Sequence, residues 1–141
     1  MDLTNTQEEY LKTIYFLSKT KPEIRVTDIA ENMQKTKAST NSAIKALKEL
    51  GLVSYQKYGP INITEKGREE AHRIVAANNV VKLFLKEILN VKEENIEEEA
   101  AKIKTILSKD SLDKLLDYTY NELKLRGKIW IKKFYLVWAE E

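Results

Sequence analysis

The chain has 141 residues, of which 43% are apolar and 33% are charged, and its 24 Lys and Arg barely outnumber its 22 Asp and Glu. This length is enough for one domain, or two small ones, with a core that needs no disulfide or metal to be stable. The absence of Cys excludes disulfides, zinc ribbons, iron–sulfur clusters and thiol catalysis, and the single His excludes most imidazole-based metal and triad chemistry.

The first two predicted elements are helices near the start of the chain. Apolar residues at helical spacing predict an amphipathic helix over residues 7–18, which Lys21 and Pro22 end. A short helix is predicted over residues 28–33, with Thr27 as its N-cap. The residues expected to face inward from this short helix are Ile29, Ala30 and Met33.

A third helix and a hairpin follow. Thr36 is the predicted N-cap of this helix, and Gly51 supplies its C-terminal stop. Apolar and polar residues then alternate on either side of Tyr58-Gly59-Pro60, which predicts two short strands joined by a tight turn. The alternating apolar residues are Val53, Tyr55, Ile61 and Ile63.

The second half of the chain is predicted to be helical. A long helix should run from Thr64 to about Leu89, with Asn78 in the middle of its inward apolar face. An Asn on a buried face needs a polar partner, so Asn78 marks either a polar network or a site. Asp110 is the expected cap of a later helix. The further helices are predicted over residues 93–107, 111–125 and 128–139, the last of them apolar on all sides.

Charge is unevenly distributed along the chain. Residues 34–68 hold seven bases and two acids, a net charge of +5. Residues 87–99 hold six Glu and one Lys, a net charge of −5. A block of one sign is usually a solvated face. A basic block on a DNA-binding motif, however, supplies the phosphate contacts that dominate non-specific affinity for DNA.

The order helix, turn, helix, two-stranded ribbon is that of a winged helix-turn-helix. In this motif the second helix of the pair fits the major groove of DNA, and the ribbon contacts the backbone or the adjacent groove. Small polar residues at the start of that helix allow close approach to the bases. The predicted fold class is therefore mainly α with a small β-hairpin wing. The alternative is a scaffold for protein contacts with no DNA role.

Several segments of the sequence resemble a known family. They are EEYLKTIYFL, VTDIAENMQKTKASTNSAIKALKELGLVSYQKY, INITEKGREEA and FLKEILNV, followed by a Glu-rich helix ending in ILS. Over about residues 6–123 they resemble the iron- and manganese-dependent transcriptional repressors of the diphtheria-toxin-repressor family. The resemblance is stronger to its short manganese-transport-regulator subgroup, because the chain ends without the family's additional C-terminal β-barrel domain.

The resemblance implies a homodimer that binds double-stranded DNA at a palindromic operator. It implies a winged helix-turn-helix DNA-binding domain at residues 1–70 and an all-helical dimerisation domain at residues 71–141. Trp130, Phe134 and Trp138 fit a dimer seam, or else close the core of their own monomer. The predicted base-reading residues are Thr36, Ala38, Ser39 and Ser42, and the predicted phosphate-contacting residues are Lys37, Lys45, Lys57 and Tyr58.

Family members are activated by Mn²⁺ or Fe²⁺, and the resemblance implies where their ligands would lie. Only Glu9 retains a family ligand, and one carboxylate with an amide is too little for manganese or iron. We therefore expect no metal cofactor. Divalent-metal regulation through other ligands is the open alternative. By position, the family's acidic and His ligands fall on Glu9, Lys12, Asn78, Ala101, Lys104 and Thr105.

Two of these positions hold lysines that could replace the metal with a fixed positive charge. Lys12 and Lys104 would bond to Glu9 and to the Asn78 carbonyl. The alternative is that both lysines point to solvent. Residues 97–99 are three consecutive Glu that could form an oxygen-only site. Consecutive helical residues diverge by about 100°, however, which favours a solvated cluster.

Two other function classes compete with a DNA-binding regulator. A protein-interaction module would use the basic face for an acidic partner and the aromatic C-terminal residues as a contact surface. An enzyme is least favoured, because no nucleophile and base pair, phosphate loop or metal-ligand spacing is seen. No signal core and no apolar run of roughly 18 residues is seen either, so we expect a cytoplasmic protein without a membrane partner.

Overall fold

The computed structural model describes residues 3–128 and confirms the predicted class, mainly α with a small hairpin wing. A π-helical turn over Phe84–Ile88 continues the fourth helix. The predicted helix over residues 128–139 and its three-aromatic seam lie outside the described residues. The elements are α1 Asn5–Thr20, α2 Val26–Met33, α3 Lys37–Glu49, β1 Val53–Ser54, β2 Asn62–Ile63, α4 Glu65–Leu83, α5 Glu93–Ile106 and α6 Lys109–Leu125.

The described residues form two compact units, which divide between Ala71 and His72, within α4. In the first unit α1, α2 and α3 pack against one another around a buried apolar core. This core forms because α1 and α3 bury residues three and four apart in sequence, while α2 contributes the adjacent Ile29 and Ala30. Its members include Tyr10, Leu11, Ile14, Ile29, Ile44, Leu47 and Leu52.

The wing is a short antiparallel hairpin with a third segment beside it. Val53 lies opposite Ile63 in the β1–β2 pair. Ile61 pairs in addition with Ile24, from the loop between α1 and α2, and donates its N–H to the Ile24 carbonyl at 2.8 Å. The returning segment of the wing, just before β2, is therefore bonded to the loop that precedes α2.

The first turn of α4 lies directly on the backbone of the wing. Thr64 caps this helix by accepting the Gly67 N–H at 3.0 Å, and it donates its hydroxyl to the Gly51 carbonyl at 2.7 Å. A Cβ atom on Gly67 would lie 2.0 Å from the Leu52 carbonyl oxygen. Only glycine allows the helix and the wing to approach this closely.

Two predicted helix caps are wrong and one is confirmed. The structure begins α2 at Val26, so Thr27 lies inside the helix, and the Asp28 carboxylate accepts the Arg25 N–H at 2.8 Å. For α6 the cap is Ser108 rather than Asp110, because its hydroxyl accepts a backbone N–H at 3.1 Å while Asp110 lies in the first turn. At α6 a neighbouring residue with the same capping chemistry takes the position, whereas at α2 the N-cap is Arg25 and the Asp28 carboxylate bonds its backbone N–H. The confirmed cap is Thr36 of α3.

In the second unit α4 ends in the π turn, where Leu89 donates its N–H to the Phe84 carbonyl. The long helix predicted to Leu89 therefore has the right extent but widens in its last turn. Glu87 in this turn holds the end of α6, since its carboxylate bonds Lys128 and its carbonyl accepts from Arg126 at 3.2 Å. The core of the unit comprises Val80, Val81, Leu85, Ile96 and Ala100.

Among residues 3–128, no helix is long and apolar enough to cross a membrane.

Candidate nucleic-acid interface

The exposed N-terminal half of α3 is the first part of the candidate interface. Thr36 accepts the Ser39 N–H at 3.1 Å and donates its hydroxyl to the Ser39 Oγ at 3.0 Å. This cap starts the helix sharply and uses much of the hydrogen-bonding capacity of Thr36. The four small or cationic side chains that follow are exposed, namely Lys37, Ala38, Ser39 and Ser42.

Thr40 anchors this half of α3 on α1, and the sequence analysis missed it. Thr40 is fully buried and donates its hydroxyl to the Thr36 carbonyl at 2.8 Å. The Tyr10 hydroxyl of α1 lies 3.5 Å from the Thr40 Oγ1. The signal was present, because Thr40 precedes the buried Ile44 and Leu47 at helical spacing. The anchor leaves Ser39 and Ser42 on the outward side of the helix.

Four lysines of α3 and the start of α4 fall into two groups, according to whether they bond a neighbouring segment of the chain. Lys48 donates to the Tyr55 carbonyl at 3.0 Å and lies 4.2 Å from the centre of the Tyr55 ring. Lys66 donates to the Leu50 carbonyl at 3.1 Å, so Lys48 joins α3 to the wing and Lys66 joins α4 to the end of α3. Lys37 and Lys45 are exposed, and in the part of the chain that the structure describes neither forms an ion pair. Their charge is therefore available to phosphate.

The wing tip is the second part of the candidate interface, and it presents the ammonium group of Lys57. The Gly59 N–H donates to the Gln56 carbonyl at 2.8 Å, which closes a four-residue turn. Tyr58, third in this turn, has φ of 63° and a side chain that is 90% exposed. The Lys57 Nζ lies 5.3 Å from the centre of the Tyr58 ring. An exposed ammonium beside an exposed phenol can bond phosphate oxygens of a DNA backbone.

The start of α2 carries a polar cluster next to the wing. The Asp28 carboxylate has its pKa lowered, chiefly because it accepts the Arg25 backbone N–H and also because the Lys21 ammonium lies 3.3 Å away. Arg25 extends its guanidinium to the Tyr58 carbonyl at 3.0 Å. The cluster thus joins the end of α1, the start of α2 and the wing tip.

The positions that the resemblance gives for the family's metal ligands hold few side chains that can bind a metal ion. The Lys12 Nζ lies 3.1 Å from the Glu9 Oε1. The single retained carboxylate therefore already has the ammonium group of a lysine side chain beside it. Ala101 has no donor atom, and the Thr105 hydroxyl donates to a backbone carbonyl at 2.7 Å. Asn78 on α4 and Lys104 on α5 are partly buried. Amide and hydroxyl oxygens without imidazole or further carboxylates do not suit manganese or iron.

Lysines pair with several of the glutamates at the start of α5. Glu97 lies 2.9 Å from the Lys82 ammonium of α4, and Glu98 lies 2.9 Å from Lys102 one turn along its own helix. All three consecutive Glu are exposed. Within residues 3–128, no group of three or more His, Cys, Asp or Glu is arranged to hold a metal ion.

Two family models match the chain in succession. Residues 2–61 match the iron-dependent repressor N-terminal DNA-binding domain. Residues 64–121 match the iron-dependent repressor metal-binding and dimerisation domain. Together they cover most of the chain. The first match contains α3 and β1 and ends just before β2.

Two HTH-type transcriptional regulators are similar to the chain along most of their length. An uncharacterised HTH-type transcriptional regulator of Methanocaldococcus jannaschii is 38% identical over 115 residues, which is 80% of this chain and 91% of the relative. The HTH-type transcriptional regulator MntR of Bacillus subtilis is 32% identical over 114 residues, 81% of this chain and 80% of the relative.

Solved structures agree with the fold. A hypothetical protein from Sulfolobus solfataricus superposes with a TM-score of 0.68 at 22% identity, over 82% of this chain and 88% of that one. The manganese regulator SloR superposes with a TM-score of 0.60 at 31% identity, over 82% of this chain and 55% of that one.

Proposed function

The chain belongs to the family of iron-dependent repressors, and from that premise we propose that it represses transcription by binding an operator as a homodimer, through α3 and the wing. It is a DNA-binding transcriptional regulator, and the proposal includes no catalytic activity. Because such regulators act on the chromosome, we place it in the cytoplasm. The observation that carries the proposal is the exposed start of α3, where a capped helix presents small polar side chains flanked by lysines without acidic partners.

The proposed contacts follow from the exposure and chemistry of the side chains. Ser39 and Ser42 are short enough to let α3 approach base edges in the major groove and can donate or accept hydrogen bonds there. The cationic groups bind phosphates and set the register of the helix on the duplex. Thr36 and Ala38 complete the base-facing set, while Lys37, Lys45, Lys57 and Tyr58 form the phosphate-binding set.

The base-reading role of Ser42 is tested by Ser42→Ala. Affinity for the operator should fall by about 1 kcal/mol or more, while affinity for random DNA of equal length stays unchanged, because the hydroxyl contacts a base rather than phosphate. The operator itself is obtained by selecting the protein on random DNA. Equal losses on operator and random DNA would refute base reading by this residue.

The dimer and its palindrome are tested together. A two-fold dimer should place its two α3 helices about 34–36 Å apart, or a multiple of this, so footprints should show two inverted half-sites with that spacing. Sedimentation of the protein at micromolar concentration should give a dimer. A strictly monomeric protein that nonetheless protects a palindrome would contradict the dimer. Binding to acidic proteins and DNA alike, without protected sites, would favour the protein-interaction module.

We propose further that operator binding does not depend on manganese or iron. The support is chemical, since Lys12 occupies a ligand position and pairs with Glu9, and the remaining positions lack carboxylate and imidazole. Operator affinity should change less than twofold between a chelator and added Mn²⁺ or Fe²⁺. A tenfold gain with either metal would overturn this and establish the alternative, regulation through non-standard ligands. Lys12→Glu is the companion variant, expected to introduce some response to metal.

A further inference from the structure

The wing tip holds a backbone conformation that its sequence does not favour. Tyr58 occupies the third position of the Gln56–Gly59 turn with φ of 63°. A turn of this kind prefers Gly or Asn at that position, because a Cβ atom crowds the backbone there. A glycine is available one residue later, yet Gly59 does not have a positive φ. The turn thus places the strained conformation on the tyrosine.

Arg25 contacts the strained residue directly. Its Nη1 donates to the Tyr58 carbonyl at 3.0 Å, and its Nη2 donates to the Glu23 carboxylate at 3.1 Å. The backbone of Arg25 is itself held, since its N–H donates to Asp28 at 2.8 Å. The guanidinium therefore extends to the wing from a backbone that Asp28 holds in place, and the Glu23 carboxylate orients it.

The neighbouring backbone supports the same geometry. Ile24, next to Arg25, accepts the Ile61 N–H at 2.8 Å on the returning side of the wing. The loop before α2 thus bonds the hairpin at two places, one in the turn and one just before β2. The first of these places is Tyr58 itself, whose 90% exposed side chain projects beside Lys57.

We infer that Arg25 is a positioning residue for DNA binding, which holds Tyr58 in its left-handed conformation so that the ring and the adjacent Lys57 project together toward the DNA backbone. The inference rests on the proposed function, since it takes the wing as a DNA contact. A wing that is ordered before binding loses less conformational entropy on the operator than a wing that must be ordered there. Arg25 acts through the wing and not as a phosphate ligand.

A double-mutant cycle on operator affinity tests the inference. Arg25→Gln should lower affinity about three- to tenfold in the unmodified protein. In a background carrying Lys57→Ala and Tyr58→Asn, where the projecting groups are gone and Asn accepts the positive φ, Arg25→Gln should change affinity less than twofold. The helix cap at Asp28 uses the Arg25 backbone N–H, so Arg25→Gln leaves it intact, and circular dichroism should confirm a folded protein.

The outcomes separate this inference from the proposed function. If the wing variant itself binds the operator as tightly as the unmodified protein, the wing contact is wrong and Arg25 has nothing to position. If the wing variant weakens binding and Arg25→Gln adds the same factor in both backgrounds, only the positioning role is overturned. As an independent readout, backbone ¹⁵N order parameters of residues 56–60 should fall in Arg25→Gln; unchanged values would also overturn the inference.

Discussion

The lysines of α3 and those around α5 differ in what they contact. Lys37 and Lys45 are exposed, and among the described residues no acid pairs with them. In the second unit, Lys82 lies 2.9 Å from Glu97. α3 thus presents two lysines without an acidic partner, whereas Lys82 of the second unit is paired, a difference that the net charge of +2 conceals. Two further pairs of the second unit are Lys86–Glu93 and Lys102–Glu98.

The two units also differ in how much of the family's chemistry they retain. The first keeps a capped α3 and a wing, which we propose contact DNA. The second keeps the helical core, but Ala101, Lys104 and Thr105 stand at positions that the resemblance gives for metal ligands. The residues proposed for DNA contact and those at the positions for metal ligands are thus different side chains of one fold.

The largest expected effect concerns packing. Gly67→Ala would place a Cβ atom 2.0 Å from the Leu52 carbonyl and 2.9 Å from the Ile63 side chain. The backbone must move, so the free energy of unfolding in urea should fall by about 3 kcal/mol or more. The matched change in the second unit is Gly127→Ala, with φ of 75° but no described atom within 4 Å of the new Cβ. It should cost only about 1 kcal/mol. Equal losses would contradict the tight contact at Gly67.

The next effect tests the charge comparison directly. Lys37→Ala should weaken operator and random DNA alike by about five- to tenfold and reduce the slope of log affinity against log salt by about 0.9, because one phosphate contact is lost. Lys102→Ala removes an equal charge from the second unit, where Glu98 pairs with it, and should leave both quantities unchanged. Filter binding or fluorescence anisotropy over a salt series measures both. Similar losses for the two variants would mean that net charge alone governs binding.

A third effect lies in the pH dependence of the first unit. The lowered pKa of Asp28 means that its carboxylate stabilises the fold above the ordinary pKa of 3.8, and that this contribution is lost as the pH falls through the lower folded value. Asp28→Asn should therefore lower Tm at neutral pH, and the difference from the unmodified protein should shrink below pH 3.8. The control is Thr27→Ala, which should leave Tm unchanged. A constant Tm difference down to acid pH would contradict the role of the carboxylate.

The smallest effect belongs to the ion pairs of the second unit. The Lys82 and Glu97 side chains are 40% and 80% exposed. A double-mutant cycle of Lys82→Gln and Glu97→Gln should give a coupling of about 0.2–1 kcal/mol that weakens at high salt. A coupling above about 2 kcal/mol would mean that this pair holds α4 to α5 as a major contact.

The sequence by itself determined the order of the elements and the bounds of α3. Thr36 caps α3 as expected, and Gly51 ends it with φ of 77°. Both features are local, because a cap bonds the chain three residues away and a positive φ requires only the residue itself. The prediction failed where two neighbouring side chains could both accept a backbone N–H at a helix start. At the start of α2 the acceptor is Asp28 and not Thr27.

The tertiary structure decided which residues support the candidate interface. Arg25 reaches the Tyr58 carbonyl across 33 residues, and Tyr10 meets Thr40 across 30. Gly67 is required because the Leu52 backbone lies against it, not because of its own conformation. No periodicity or spacing encodes such contacts, since they exist only once helices and wing have packed and brought distant segments together.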